Sequence, residues 1–375
     1  MSAVGSPVLH GCPATLGFRM PAEWEEHSAT WMVWPHNRAD WEIKTNSAEW
    51  CYVEIIRQLV RYERVSLICQ NAAVRDRAEV HLARGGVERS DYDTHLIKTN
   101  RSWIRDSGPL FLSHATDAVR QIAVSDWAFN GWGRYRSYSD DDRLPRRIAK
   151  KLGMPRFTVG IDQGGRIDNV VLEGGSIDVN GCGDLITTEQ CLLGESQARN
   201  PTLSRNDLEA VLRDHLGVTR IHWLAGGIDG DDTQGHVDDV ARFVGANTIV
   251  AAVESDTGDV NYSVLQQNLR LLRRLRNRRR QAFEVITLPM PRPVTFDGMR
   301  LPASYLNFYI GNNVVLVPTF NDSQDRHALA TLAKIFPTRV VVGVYAGDLI
   351  LGLGAIHCLT QQQPVGTWWF LVVRD

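Results

Sequence analysis

Three successive stretches of this chain spell out the same order of elements, and a chain that repeats itself is not to be cut into unrelated domains. In the first, an apolar run over Val170–Val179 meets a turn at Asn180-Gly181, and a second strand is expected over Asp184–Cys191. A helix follows over Ser204–Leu216, with Ser204 as N-cap and Gly217 just past its end, and then a strand over Arg220–Leu224. The second copy places strands at Val237–Val244, Thr248–Val253 and Phe283–Leu288 around a helix over Tyr262–Asn277. The third places them at Leu306–Ile310, Val314–Phe320 and Arg339–Val344 around a helix over Ser323–Phe336. The turn glycines Gly181, Gly245 and Gly311 stand 64 and 66 residues apart.

One period earlier, Leu110–Leu112 and Gln121–Trp127 flank a turn at Ser113–Ala118, with a helix over Arg143–Leu152 and a strand over Phe157–Val159. An irregular fifth copy reads Thr30–Trp34, a helix over Ser47–Tyr62 and Val65–Cys69. Its missing strand is expected from Ala355–Gln361, so that the chain closes on itself, and a helix over Ala73–Arg84 with a strand over Thr94–Lys98 is inserted between copies. Units of this kind cannot bury their faces alone, whereas a ring in which each packs on its neighbours satisfies them all. The expectation is therefore one α/β domain with pseudo-symmetry over residues 1–375, where length alone would suggest two or three domains. A doubly wound nucleotide-binding fold is the competing architecture, but no strand leads into a phosphate-cradling glycine loop that opens a helix. The glycine-rich Gly347–Gly354 is followed by a strand and Cys358 instead.

Composition narrows the function classes. Lys and Arg total 41 against 43 Asp and Glu, a formal charge of −2, which lacks the basic excess of a nucleic-acid protein. The arginines Arg270, Arg273, Arg274, Arg276 and Arg278–Arg280 are read as the solvated face of a helix whose Leu265, Leu269, Leu272 and Leu275 point inward. No apolar run is long enough to span a membrane and no leader pattern opens the chain, so a cytoplasmic location is expected. The six cysteines are scattered, without the spacing of a zinc site or a disulfide framework. Neither metal nor cofactor is expected.

The repeat also predicts a site, because equivalent positions near the first strand of each hairpin should converge on the axis of the ring. Those positions hold Asp106, Glu173, His236 with Asp238, and, in the C-terminal strand, Cys358. Taken singly, each has a plain structural explanation as a core cysteine, a turn aspartate or a satisfied buried imidazole. Their shared register across successive copies favours chemistry. Strand alternation puts His236 and Asp238 on one face, with Val237 on the other. His357 and Cys358 should face opposite ways, which makes His236 the better partner for Cys358.

Carried on these residues, the chain resembles the agmatine deiminases and the bacterial type of peptidylarginine deiminase, in the guanidino-group-modifying superfamily. The motifs are Met20–Glu25, Trp31–Pro35, Thr99–Pro109, Trp127–Gly133, Leu172–Ile177, Gly235–Phe243, Leu301–Phe308 and Ile356–Pro364. The resemblance spans about residues 20–370, leaving 1–19 as an N-terminal extension, and implies a five-bladed α/β propeller of ββαβ modules with pseudo-fivefold symmetry. It makes Cys358 the nucleophile, His236 the general acid/base, Asp106 and Asp238 the carboxylates that grip the guanidinium, and Glu173 the partner of the histidine. Trp103 matches a residue of the substrate tunnel, and Asp232 an acidic position that receives a distal amine. It also allows a homodimer.

These residue types suit the reaction. Two carboxylates hold a planar cation by paired, charge-assisted hydrogen bonds, and a cysteine must become a thiolate before it attacks. The implied product of agmatine is N-carbamoylputrescine with ammonia, through an S-alkylthiouronium on Cys358. Amidino transfer to an amine, or deimination of arginine or peptidyl-arginine, are the competing activities. Nucleic-acid binding without catalysis is the competing class. The chain departs from the family pattern at Arg101, where Asp is usual, at Asp178 (His), at Asp232 (Glu), and at Leu353-Gly354-Ala355 (Gly-Gly-Asn). Arg101 keeps a carboxylate-bearing substrate in contention.

Overall fold

The computed structural model describes residues 6–9, 11–115, 120–162 and 167–368. Among the described residues, five sheets of three or four strands follow one another along the chain, beside two two-stranded sheets, and each of the five contains the expected grammar of an antiparallel pair followed by a helical crossover to a parallel strand. In the first, His27–Val33 lies between Gln361–Pro364, antiparallel, and Val65–Cys69, parallel, with Tyr92–Leu96 beyond. The second orders Leu110–Ala115, Arg120–Asp126, Arg156–Thr158 and Val8–Leu9. The third has Ile177–Val179, Asp184–Thr188 and Arg220–Leu224. The fourth has Ala241–Gly245, Thr248–Val253 and Glu284–Pro289, and the fifth Tyr309–Ile310, Val314–Thr319 and Val340–Tyr345. The crossover helices are Thr45–Leu59, Leu144–Leu152, Arg205–Leu216, Val260–Arg274 and Asp325–Ile335. The turn expected over Ser113–Ala118 is partly taken by the strand Leu110–Ala115, and its residues 116–118 lie outside the described residues.

Local chemistry explains the boundaries. Ser204 caps its helix with a reciprocal capping box to Asp207, and Gly217 ends it at φ +65°, a backbone geometry that disfavours residues with a Cβ. In Val260–Arg274, Leu265, Leu269 and Leu272 are buried while Arg270, Arg273 and Arg274 are exposed. That helix ends at Arg274, so Arg278–Arg280 belong to the turn beyond it, where they too are exposed. Among the described residues no helix is long and apolar enough to cross a membrane.

Hydrogen bonds link each sheet to the next. Gln361 Nε2 donates to the Pro109 carbonyl, and Ala128 N to that of Val170. Phe243 N donates to Asp178, Arg242 Nη1 to the Leu306 and Phe308 carbonyls, and Asn312 N to Glu63. The last contact returns the fifth sheet to the crossover of the first.

One expectation fails in a consistent way. The strands that were to carry the site residues are shorter, and the residues sit in tight turns that precede them. Glu173 caps a 3₁₀ turn over Gly174–Ser176, Asp238 lies in one over Val237–Asp239 with His236 as its N-cap, and Cys358 lies in one over His357–Leu359. Asp106 is in a single helical turn, Ile104–Ser107. Strand alternation therefore does not explain why His236 and Asp238 face the same site. A 3₁₀ turn packs three residues into each revolution and delivers more polar groups per unit length than a strand does.

Candidate active site

The turns converge at Gly175. A Cβ there would lie 2.6 Å from His236 Nδ1, 2.8 Å from Asp106 Oδ1 and 3.1 Å from Asp238 Oδ2, so only a residue without a side chain fits between the three groups. Cys358 completes the cluster, its sulfur 3.8 Å from Asp238 Oδ2 and 3.3 Å from Asn307 Nδ2. All five expected catalytic residues, Cys358, His236, Asp106, Asp238 and Glu173, are buried.

Asp106 accepts hydrogen bonds from Trp132 Nε1 at 2.9 Å and from the Gly175 amide at 3.0 Å. Burial, reinforced by the nearby Glu173 and Asp238 charges, raises its pKa to about 6 despite His236. Burial would raise Asp238 too, but His357 donates to its Oδ2 at 2.7 Å and outweighs burial, holding the group below the usual carboxylate range. The other oxygen, Asp238 Oδ1, is buried and has no hydrogen-bond partner among the described residues.

His236 faces Glu173 Oε2 at 3.2 Å through Nε2 and Asp106 Oδ1 at 3.8 Å through Nδ1. Burial disfavours its imidazolium, yet Asp106, Cys191 and Glu173 override that and lift its pKa well above the ordinary histidine value. Glu173 is kept ionised by Arg199, whose Nε lies 2.9 Å from Oε1, so that burial does not prevail. Cys358 is pushed the other way: burial and the charges of Asp238, Asp239 and Asp106 raise its thiol well above the usual range. The sulfur's hydrogen-bond neighbours are Asn307 and Asp238 rather than the His236 expected beside it. These shifts favour a neutral Cys358 thiol and a charged His236 imidazole. Glu173, Cys191 and His236 present ligand atoms within 4.8 Å of one another and could hold a metal ion, which would have to share Glu173 with Arg199.

A pocket opens from Cys358 past Asp106, Trp103, Trp132, Tyr135, Arg101, Asp232 and Leu353. Trp103 and Asp232, the two expected substrate contacts, both line it. The Trp103 ring also lies where a side chain at Gly352 or Gly354 would stand, so these glycines let the nucleophile loop close onto it. Asp232 Oδ2 accepts from the Tyr135 hydroxyl at 2.7 Å and is 3.8 Å from Arg134. Arg101 forms an ion pair with buried Asp40 and lies 4.0 Å over the Tyr135 ring. The other departures are accommodated locally. Asp178 pairs with Arg242, Leu353 adopts φ +68° where the resemblance implies Gly, and Ala355 is buried.

Sequence reasoning missed Asn307, Arg199, Trp132, Glu23 and the role of His357 in holding Asp238. Each except Arg199 stands inside one of the quoted motifs or borders Cys358, so a polar residue within an otherwise apolar motif was the available signal.

The family model for the Porphyromonas-type peptidyl-arginine deiminases matches residues 19–364. The chain belongs to that family. Its relatives include the agmatine deiminase of Ectopseudomonas mendocina, 36% identical, with 94% of this chain and 97% of that protein aligned. Among solved structures, the agmatine deiminase of Enterococcus faecalis superposes with a TM-score of 0.85 at 28% identity, covering 96% of this chain and 99% of that one. A C. jejuni agmatine deiminase with substrate bound superposes at 0.80 and 27% identity, covering 93% and 97%.

Proposed function

We propose that this family member hydrolyses agmatine to N-carbamoylputrescine and ammonia, as a single domain whose five sheets form a five-bladed propeller around the site. The observation that carries the reading is the pair Asp106 and Asp238: two buried carboxylates near one thiol, with no ion pair to Lys or Arg among the described residues. Buried carboxylates without Lys or Arg pairing are costly, and a bound guanidinium adds that kind of charge in the planar geometry they suit. Family membership and the activity of the relatives support the same chemistry. The circuit of hydrogen bonds from sheet to sheet supports the ring and the single domain.

Agmatine is favoured over arginine by the charges along the pocket. Arg101, the group that a substrate carboxylate would seek, is already paired with Asp40, while Asp232 offers a carboxylate to a distal amine. The near balance of 41 basic and 43 acidic residues supports a small-molecule partner over nucleic acid.

The mechanism follows from the charge states. A guanidinium entering between Asp106 and Asp238 offsets the charges that hold the Cys358 thiol protonated, and the thiol proton leaves to solvent. The thiolate attacks the guanidinium carbon. His236, already an imidazolium, gives its proton to the departing nitrogen, and ammonia leaves behind an S-alkylthiouronium. The now neutral imidazole takes a proton from water, hydroxide adds to the same carbon, the thiolate is expelled, and the hydroxyl proton passes to the departing sulfur, so that the ureido product and the neutral thiol form together. Glu173, fixed by Arg199, steadies the imidazolium at both stages.

A ureido-product assay on agmatine, arginine, a peptidyl-arginine and simpler guanidines, with Cys358→Ser as control, tests the assignment. Agmatine should give the highest kcat/KM without any acceptor amine. Product only in the presence of an amine would identify an amidinotransferase. A preference for arginine would show that Arg101 leaves Asp40 to meet a carboxylate.

A further inference from the structure

Beneath the nucleophile lies a second imidazole. His357 is turned away from the pocket, and each of its ring nitrogens lies 2.7 Å from a carboxylate oxygen, Nδ1 from Asp238 Oδ2 and Nε2 from Glu23 Oε2. Both carboxylates hold the ring through a nitrogen at hydrogen-bond distance. Glu23 is itself fixed, by the Ile310 amide at 2.7 Å and by the guanidinium groups of Arg242 at 2.9 Å and Arg105 at 3.4 Å. The backbone of His357 is pinned as well, its amide donating to the Asn307 carbonyl and to Asn307 Oδ1. A side chain held at both ends and along its backbone does not swing.

The consequence falls on Asp238. One of its oxygens is occupied by His357, and the other, Oδ1, is buried without a partner. We propose that His357, braced by Glu23, is a positioning residue that fixes the Asp238 carboxylate for the substrate guanidinium, with Oδ2 facing the Cys358 sulfur and Oδ1 left without a partner, an inference that rests on the guanidine reading above. The brace works through a hydrogen bond as well as through packing, because it sets a ring nitrogen of His357 against Asp238 Oδ2. Neither Glu23 nor His357 touches the reacting carbon. The adjacency of His357 and Cys358 couples the two functions: the turn that presents the sulfur to the pocket also presents the imidazole to the carboxylate behind it.

Two substitutions at His357 separate positioning from packing. An asparagine amide can reproduce a donor near the Nδ1 position, facing Asp238, whereas a glutamine amide reaches the Nε2 position, facing Glu23. The readout compares alkylation of Cys358 by cationic 2-chloroacetamidine, which needs the carboxylate grip, with alkylation by neutral 2-chloroacetamide, which does not. It is paired with kcat and KM for agmatine. In His357→Gln the amidine preference and agmatine affinity should each fall roughly tenfold or more, with the chloroacetamide rate within about threefold of wild type. His357→Asn should retain most of the preference.

Equal losses in both variants, or an unchanged preference in folded His357→Gln, overturn the proposal. Should His357→Gln fail to fold by circular dichroism, Glu23→Gln takes its place: loss of the preference supports the brace and its retention overturns it. A wild-type protein that reacts no faster with the amidine than with the amide overturns the guanidine reading, and the proposal with it. That outcome is distinct from a wild-type preference that survives the substitutions.

Discussion

Cys358 is a poor nucleophile until a cation arrives. Its thiol is raised by burial and by Asp238, Asp239 and Asp106, so the chemistry waits on the same carboxylates that attract the substrate. Alkylation of the free protein by neutral iodoacetamide should be slow at pH 7 and still climbing at pH 9. A rate that levels off near pH 7 would show a thiolate in the empty site and defeat this account. Asp106 sets a second dependence. It grips a guanidinium only when ionised, and its pKa is raised to about 6, so kcat/KM should fall as pH drops through that value while the carboxyl takes up its proton. Asp106→Asn should remove that limb and lower kcat/KM by roughly 100-fold or more, as expected when one partner of a buried charge pair is lost. An acid limb that persists unchanged in the variant assigns it to another group.

At the scale of elements, catalytic sensitivity and stability should separate. Gly175→Ala places a methyl among His236, Asp106 and Asp238 and should reduce activity by roughly 100-fold or more with the far-UV spectrum unchanged. Ser204→Ala removes one half of a capping box on an exposed helix end and should cost about 1 kcal/mol in denaturant unfolding, with kcat/KM unaffected. The same division marks what the sequence could disclose. Val65–Cys69, Arg220–Leu224 and Thr248–Val253 were legible to the residue because their apolar patterns end at turn-forming positions. The turns holding Glu173, Asp238 and Cys358 have no period of their own, and they were read as extensions of the strands that follow. Their convergence was nevertheless readable from the repeat, which fixes register without requiring the local conformation. Glu23 and Asn307 stand within quoted motifs, but their link to His357 is not readable from the sequence, since it spans 334 and 50 residues and no pattern marks it.

For the whole molecule, the decisive contact is the strand Gln361–Pro364 against His27–Val33. A chain ending after residue 360 keeps every proposed catalytic side chain but exposes the edge of the first sheet, so it should aggregate or melt well below the full chain and lack activity. Equal melting temperatures in calorimetry would show that this strand is dispensable. The placement also has a meaning in time. A growing polypeptide emerges from the ribosome with Asp106, Glu173, His236 and Asp238 first, and the Cys358 sulfur follows them. In the proposed ring, Cys358 enters its turn as Gln361–Pro364 docks beside His27–Val33, so closure and the assembly of the reactive centre become one event. Incomplete chains released during synthesis would carry no working nucleophile.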